Sequence, residues 1–399
     1  MREKPLWSRD FIAVCLSSFF LFMTFYTLAV TLPIYVTDTL GGSTQEVGLV
    51  MTTFVIAAVI FRPLAGKWLD EHNRKLVIFA SLALYMVCSF LYLGIESFSL
   101  LLVLRFVHGI GFGVATTATG AVAIDIVPEE RKGEGIGYFS LFMSLAMVLG
   151  PFLGLTIMSH FDVVVLFAVC AVFGLIAFVF GTLTRVPVQA QTPSPARAEK
   201  TTSAWSWKRF IEPKAVPISV SGSILAFSYG ALTTFISVYA KELGIADSAS
   251  YFFVVFAAMI VLSRPFTGKW FDRFGENVLV YPGILLFTVG MILLSQVHGT
   301  AAFLLTGAMI GLGYGALLPS FQTIAIKASP SHRRGLATGT YFLLFDLGYG
   351  IGSYALGIIA AETSYHTMYL IAGVIVACTA PIYYGLHHKK AAALKKAYS

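Results

Sequence analysis

A ten-residue segment of this chain occurs twice. Residues 61–70 read FRPLAGKWLD and residues 263–272 read SRPFTGKWFD, so Arg, Pro, Gly, Lys, Trp and Asp recur at an offset of 202 residues. The same offset aligns further glycines without insertion or deletion as far as residue 339; three such pairs are Gly109 with Gly311, Gly111 with Gly313, and Gly113 with Gly315. The chain is therefore a duplication. A long repeat in membrane-type sequence predicts a transporter built from two equivalent halves around one central site.

Composition predicts that both halves lie in a membrane. Of the 399 residues, 57% are hydrophobic and only 12% are charged. Apolar runs of about 20 residues, each able to cross about 30 Å of hydrocarbon, follow one another along the chain. They predict an all-α membrane protein with twelve transmembrane helices, at 11–36, 47–69, 76–94, 100–127, 135–158, 163–184, 215–240, 250–271, 278–296, 300–327, 336–360 and 366–386. Because each half has six spans, the two form a parallel repeat.

The distribution of Lys and Arg predicts the orientation. Of these 27 residues, 23 fall in the N-terminus, the tail, the connector and alternate loops, all on one side of the bilayer. Lys241 alone lies on the other side, and Arg62, Arg105 and Arg264 lie within spans. The positive-inside rule therefore predicts that both termini lie in the cytoplasm. We expect a multi-pass protein of the plasma membrane. The basic residues face lipid along the inner loops, and no compact basic domain remains for nucleic acid.

The domain prediction follows the repeat. Residues 1–185 form an N-terminal six-helix bundle, 186–214 a cytoplasmic linker rich in Pro and polar residues, 215–386 a C-terminal six-helix bundle, and 387–399 a cytoplasmic tail. The four cysteines fall in four separate spans without CxxC or Cys/His spacing, so we expect small buried side chains and no metal. We expect no cofactor, and a monomer.

Asp346 is the outstanding ionisable residue in the spans. It lies about ten residues into span eleven, so about 15 Å deep at 1.5 Å per residue. Arg62 lies at about 12 Å from the inner face. Spans two and eleven belong to opposite halves, and we hypothesise an ion pair that forms in one access state and breaks in the other. A paired aspartate stays ionised, whereas one left in apolar surroundings takes up a proton. A permanent structural pair is the alternative.

Three motifs together resemble the major facilitator superfamily, and within it the twelve-span drug:proton antiporters. One is the loop from Gly66 to Asp70 followed by Arg74, with Gly268 and Asp272 as its second copy. The second is the combination of Gly150, Pro151 and Gly154 in span five, and the third is Arg105 with the glycines of span four. The resemblance covers the whole chain and implies this superfamily's fold and a transport function.

The resemblance also implies residue roles. Asp70 would meet the positive N-terminal end of span eleven as a latch, and Arg74 would pair with Asp125 at the inner end of span four. Arg105 would take part in proton movement. The alternatives are that Arg74 only obeys the positive-inside rule and that Arg105 extends to the outer surface.

Small residues predict where helices meet. Gly66 marks a close helix approach, and Gly150, Pro151 and Gly154 allow span five to bend and seal against the glycines of span eleven. Ordinary packing is the alternative for these glycines, because small residues are common at helix contacts in lipid.

Aromatic residues on spans one, seven and eleven predict the substrate cavity, represented by Tyr26, Tyr229, Phe345 and Tyr349. They suit a small lipophilic solute, a cationic one included, although aromatic faces also serve packing. The leading hypothesis is proton-coupled efflux of such compounds by alternating access. The alternatives are an exporter of a sugar or metallophore, an uptake symporter, and a non-transporting sensor. No enzyme motif is present, so we expect no enzyme.

Overall fold

The structure is a computed structural model and describes residues 6–128, 131–186, 211–330 and 334–389. Within these ranges the chain forms twelve α-helices: α1 Arg9–Asp38, α2 Thr44–Glu71, α3 Arg74–Leu91, α4 Phe98–Ile126, α5 Lys132–His160, α6 Val163–Leu183, α7 Val216–Glu242, α8 Ser248–Phe274, α9 Asn277–Leu294, α10 Thr300–Lys327, α11 Arg334–Glu362 and α12 Tyr365–Tyr383. A 3-10 turn, Tyr92–Gly94, follows α3, and a π-turn, Tyr384–His388, follows α12.

The predicted twelve-helix membrane fold is confirmed. Eleven of these helices are long and apolar enough to cross a bilayer, and α8 is apolar over Ser248–Ser263. Many large apolar side chains are exposed on the outside of the bundle, Leu285 at 63% and Leu262 at 61% among them. Such a surface suits contact with lipid rather than water.

Polar side chains at the helix starts set several boundaries. The Ser43 hydroxyl accepts a hydrogen bond from the Glu46 backbone N–H, and the Glu46 carboxylate accepts one from the Ser43 N–H, which makes a capping box. Ser97 caps α4 and Ser364 caps α12 with one bond each, because the serine hydroxyl accepts a hydrogen bond from a backbone N–H of the first turn. At the other end of α8, Gly275 adopts φ 86°, which stops the helix.

Helix packing follows the duplication. In the first half α1 packs against α4, α5 and α6, while α2 packs against α4; in the second half α7 packs against α10, α11 and α12, while α8 packs against α10. The halves meet mainly through α1 with α7, α2 with α11, and α5 with α8. The proposed linker and tail lie largely outside the described residues, so the domain boundaries stay a prediction.

Candidate functional site

Arg62 and Asp346 form an ion pair that joins the two halves. Arg62 lies on α2 and Asp346 on α11, and 2.5 Å separates Arg62 Nη1 from Asp346 Oδ2. The Arg62 side chain is 18% exposed and that of Asp346 is 22% exposed, so neither is sealed off. The Arg62 Nε atom is buried and has no hydrogen-bond partner among the described residues. The pair predicted from depth along two helices is confirmed, and one donor of its arginine remains unused.

Tyr26, on α1, lies near this pair, close enough to Arg62 and Asp346 to interact with them electrostatically. Phe345 precedes Asp346 on α11, and both aromatic side chains are half-buried. Their part in lining a substrate cavity stays a prediction.

Tyr229 and Tyr349, the other two predicted cavity residues, are buried at 2% and 4% exposure. The Tyr349 hydroxyl shares a 2.8 Å hydrogen bond with Thr233 Oγ1. Tyr229 stacks on Tyr314 with ring centroids 4.4 Å apart. The Tyr349 ring also lies 6.2 Å from that of Phe25, across the boundary between the halves. In this structure both tyrosines pack against other aromatic rings, and their part in a substrate cavity stays a prediction.

Arg105 is buried in the first half. It is 0% exposed, so the alternative that it extends to the surface is wrong for this structure. Its Nε donates to the Val50 carbonyl oxygen at 3.2 Å, and its guanidinium carbon lies 4.0 Å from the centroid of the Phe54 ring. Its other contacts are Tyr92 Oη and Met51 Sδ, each at 3.4 Å. Within the described part of the chain, these contacts hold the arginine with a carbonyl, a hydroxyl, a thioether and a ring face.

His108 continues this polar group. The Tyr92 hydroxyl lies 3.1 Å from His108 Nδ1, and the Ser89 hydroxyl lies 3.4 Å from Nε2. We name Ser89, Tyr92, Arg105 and His108 the Arg105 cluster. Sequence reasoning missed Ser89 and Tyr92. Their spacing of three residues, which places them on one helix face, was the available signal.

A second set of contacts joins the halves at the predicted outer face. Lys241 Nζ lies 2.7 Å from both carboxylate oxygens of Asp38, and the Ser237 hydroxyl donates to the Val30 carbonyl oxygen at 3.0 Å. Other bonds between the halves are Gln45 Nε2 to Glu362 Oε1 at 3.4 Å and Thr52 Oγ1 to Gly350 O at 2.7 Å.

We name the Asp38–Lys241 pair the outer latch. It was missed in the sequence, although Lys241 is the lone basic residue predicted on that side. These contacts hold the two halves together at this end of the bundle.

Comparison with known families decides the class of this two-half bundle. The family model described as Major Facilitator Superfamily matches residues 14–295 and, in a second match, residues 219–397. The chain belongs to this superfamily. Its members are transporters and not enzymes, as the sequence predicted.

Curated relatives of this superfamily member cover most of the chain. The quinolone resistance protein NorA of Staphylococcus aureus is 24% identical over 369 residues, which is 90% of this chain and 92% of NorA. The staphylopine export protein of Staphylococcus aureus is 26% identical over 351 residues, which is 84% of this chain and 86% of that protein. An uncharacterized MFS-type transporter of Methanocaldococcus jannaschii is 24% identical over 83% of this chain and 86% of its own length.

Solved structures show the same fold. A bacterial homolog of the human lysosomal transporter Spinster, in an inward-facing and unoccupied conformation, superposes with a TM-score of 0.78 at 17% identity, covering 96% of this chain and 97% of its own. The nucleoside transporter NupG superposes with a TM-score of 0.71 at 15% identity, covering 94% and 99%. At these identities the likeness shows the superfamily fold alone.

The superfamily's signature loop is partly visible. The Arg74 guanidinium pairs with the Asp125 carboxylate, and Arg74 Nε donates to the Leu69 carbonyl oxygen at 3.1 Å. Arg74 therefore ties the end of α2 to the inner end of α4, and the predicted pair is confirmed. The side chains of Asp70 and Asp272, and Gly268, lie outside the described part of the structure, so the latch at Asp70 stays a prediction.

The glycines of α2 and α5 differ in how closely they approach their neighbours. A Cβ added to Gly66 meets nothing within 4 Å among the described residues, so the close helix approach expected there stays a prediction. On α5, a Cβ at Gly150 would lie 3.2 Å from the Met23 carbonyl oxygen, and one at Gly154 would lie 3.0 Å from Thr27 Cγ2.

The partner expected for α5 is therefore wrong. Gly150 and Gly154, with the buried Pro151 between them, fit α5 against α1 of its own half. Across the boundary α5 meets α8, whereas α11 packs against α7 and α2. Glycines signal that a neighbour comes close, but they do not say which helix it is.

Cysteines and metal ligands complete the inventory of the described residues. Cys15, Cys88 and Cys170 are buried as expected, whereas Cys378 is exposed. Within the described ranges, no group of three or more His, Cys, Asp or Glu side chains could hold a metal ion.

Proposed function

We propose that this superfamily member exports small lipophilic compounds, cationic ones included, in exchange for protons, and that it does so by alternating access. The observation that carries the proposal is the Arg62–Asp346 pair, which places the one described aspartate of the membrane interior between the two halves. Ionisable groups at such depth are costly to keep and usually mark ion pathways. The relative named for quinolone resistance supports efflux as the direction.

The pair can couple a proton to the movement of the halves. Protonation of Asp346 removes its negative charge, and with it the ionic part of its attraction to Arg62. Because α2 and α11 form a main contact between the halves, losing this attraction weakens the arrangement of the halves seen in this structure. Asp346 would pick up a proton in one access state and return it when Arg62 comes back.

Arg105 supports this coupling by positioning α2. Its guanidinium holds the Val50 carbonyl and the Phe54 ring, about two to three turns from Arg62 on the same helix. A shift of α2 would therefore be felt both at the pair and at the Arg105 cluster. The predicted part of Arg105 in proton movement would act through this link.

A second candidate is export of a more polar metabolite. The relative named for staphylopine export is 26% identical to this chain, and it favours this candidate over an uptake function. The two candidates share the coupling residues and differ in the compound that enters the cavity.

The test is proton-driven efflux by purified protein in liposomes. When a pH gradient is imposed, native protein should move a lipophilic cationic dye in one direction while protons move down their gradient in the other. Asp346→Asn, which keeps the shape but cannot carry a charge, should reduce coupled efflux to the passive leak of empty liposomes. Asp162→Asn is the matched control, because Asp162 is exposed at the start of α6 and makes no capping bond. Unchanged efflux in Asp346→Asn would show that the acid is structural.

A further inference from the structure

We infer that the Arg62–Asp346 pair is the binding site for a dipolar substrate. Such a substrate carries an amine and a carboxylate close together on an aromatic or other apolar body. The inference rests on the proposed function and sharpens it, because it replaces a simple lipophilic cation by a zwitterion.

The charge balance of the site carries the first step. Arg62 and Asp346 neutralise each other at 2.5 Å. A cation that binds Asp346 must push Arg62 aside, and a lone anion that binds Arg62 must push Asp346 aside. Either ligand leaves one charge unpaired inside the membrane, which is strongly unfavourable. A zwitterion replaces both partners at once, since its carboxylate accepts from Arg62 and its ammonium donates to Asp346.

The unused donor of Arg62 carries the second step. Nε is buried without a hydrogen-bond partner among the described residues, while Nη1 is bound to Asp346. A carboxylate commonly accepts two parallel hydrogen bonds from a guanidinium. A ligand carboxylate could therefore engage a donor that Asp346 leaves unsatisfied, and so bind Arg62 more completely than the resident acid does.

The surroundings supply the apolar part. The half-buried ring of Tyr26 lies near the pair, and the 18% and 22% exposure of the two charged side chains leaves them reachable. Aromatic rings favour stacking with a ring-bearing solute. The site thus combines two opposite charges with an apolar wall.

This chemistry also gives a reason for exchange. The ammonium of the substrate and a proton would compete for the same Asp346 carboxylate. When Asp346 is protonated it offers no charge to the amine, so substrate and proton cannot both be held there. Mutually exclusive binding at one site is what an antiporter needs.

The experiment uses three probes with one ring system: 3-(2-naphthyl)alanine as the zwitterion, 2-(2-naphthyl)ethylamine as the cation and 3-(2-naphthyl)propionic acid as the anion. Binding to the purified full chain in detergent is measured by calorimetry. For native protein we expect the zwitterion to bind at least about tenfold more tightly than either singly charged probe, a ratio that calorimetry resolves readily.

The variants test the charge logic. Asp346→Asn leaves Arg62 alone, so the anion should bind at least as tightly as the zwitterion. Arg62→Gln leaves Asp346 alone, so the cation should do so instead. Asp162→Asn should keep the native preference. If a single variant fails to fold, Arg62→Asp combined with Asp346→Arg retains a pair and should retain the preference for the zwitterion.

Several outcomes overturn the inference. These are a native preference for the cation, a preference that the variants do not shift, and no binding of any of the three probes. The proposed function fails separately. If proton-driven dye efflux works but the zwitterion is not preferred, only the dipolar site is wrong. If the zwitterion is preferred in binding, but native protein in liposomes releases protons neither with the dye nor with the zwitterion and moves neither compound, the site stands and the efflux proposal falls.

Discussion

The two halves of the molecule repeat each other in their glycine contacts. On α4, a Cβ added to Gly109 would collide with the Phe54 carbonyl oxygen of α2, and on α10 one added to Gly311 would collide with that of Phe256 on α8. Phe54 and Phe256 are themselves related by the 202-residue offset. The same is true of Gly113 against Ala58 and Gly315 against Ile260. The duplication has therefore kept the scaffold in register, residue by residue.

The Arg105 cluster shows where the halves diverge. Its four members correspond to apolar or small residues in the second half; the pairs are Ser89 with Met291, Tyr92 with Leu294, Arg105 with Gly307, and His108 with Ile310. A Cβ at Gly307 would lie 2.9 Å from the Phe252 ring. In the second half, this ring therefore packs at the position that corresponds to Arg105. An apolar version of this region thus folds well. The polar version is costly to bury, which argues that it is kept for function.

The largest effect should come from making the first half resemble the second. Arg105→Met combined with His108→Ile would turn the polar cluster into an apolar one. We expect the protein to fold, because the second half shows that apolar packing is sufficient, and we expect proton-driven efflux to drop to passive leak. Efflux in liposomes and a melting curve measure the two effects.

The control for this change is Ile310→Leu at the equivalent buried position of the second half, which should leave efflux intact. Full efflux in the double variant would mean that the cluster only packs. Loss of the folded protein would mean that the polar contacts are stabilising, contrary to the comparison.

The glycines should be equally sensitive in both halves. Gly109→Ala and Gly311→Ala each force a methyl group against a backbone carbonyl, so each should destabilise the protein by about 1–3 kcal/mol. Thermal unfolding of the purified protein measures this. Gly120→Ala on α4 is the control, because a Cβ there meets nothing within 4 Å of the described structure. A large difference between Gly109→Ala and Gly311→Ala would show that the two scaffolds are not equivalent in energy.

The inner loops should differ more modestly. Arg74 pairs with Asp125, whereas its counterpart by the offset, Glu276, lies 2.7 Å from His387 Nε2. Arg74→Gln removes a charged hydrogen bond and should cost about 1 kcal/mol of stability. Glu276→Gln should cost less, since the amide oxygen can still accept from His387. Equal shifts in melting temperature would contradict this ranking.

The sequence predicted the helices well because each helix needs an apolar surface, which either packs against other helices or faces lipid. The predicted spans agree with the observed helices to within a few residues, and the differences have local causes. The second span was expected to begin at 47, yet α2 begins at Thr44, because the capping box of Ser43 and Glu46 extends the helix outward.

The site was predicted only where electrostatics fixed the answer. A charge at the middle of the membrane needs a partner, so Arg62 and Asp346 could be matched by depth alone. Finding Tyr92 beside Arg105, or Asp38 beside Lys241, requires the rotation of each helix about its axis, which hydrophobic periodicity leaves open. For the same reason the glycines of α5 could not reveal that their partner is α1.

The smallest effect should come from the outer latch. Its two side chains are more exposed than those of the Arg62–Asp346 pair. Lys241 and Asp38 are 56% and 38% exposed, so water and salt weaken their attraction. Lys241→Gln should shift the halves toward opening by about 0.2–1 kcal/mol, at most about a fivefold change in population. Labelling of Ser237→Cys by a membrane-impermeant maleimide, in a protein that also carries Cys378→Ser to remove the exposed thiol, measures opening, because Ser237 is buried at this boundary beside Val30.

When Ser237→Cys is the reporter in an otherwise unchanged latch, high salt should raise the rate of labelling. Lys241→Gln should raise that rate by a similar amount and should remove most of its dependence on salt. Exchanging the charges, Asp38→Lys with Lys241→Asp, should restore both the low labelling and its response to salt. If Lys241→Gln labels no faster, the outer side is held by the uncharged contacts and by the Arg62–Asp346 pair, and the exposed pair adds nothing. That result would leave the control of access to the Arg62–Asp346 pair and the uncharged contacts.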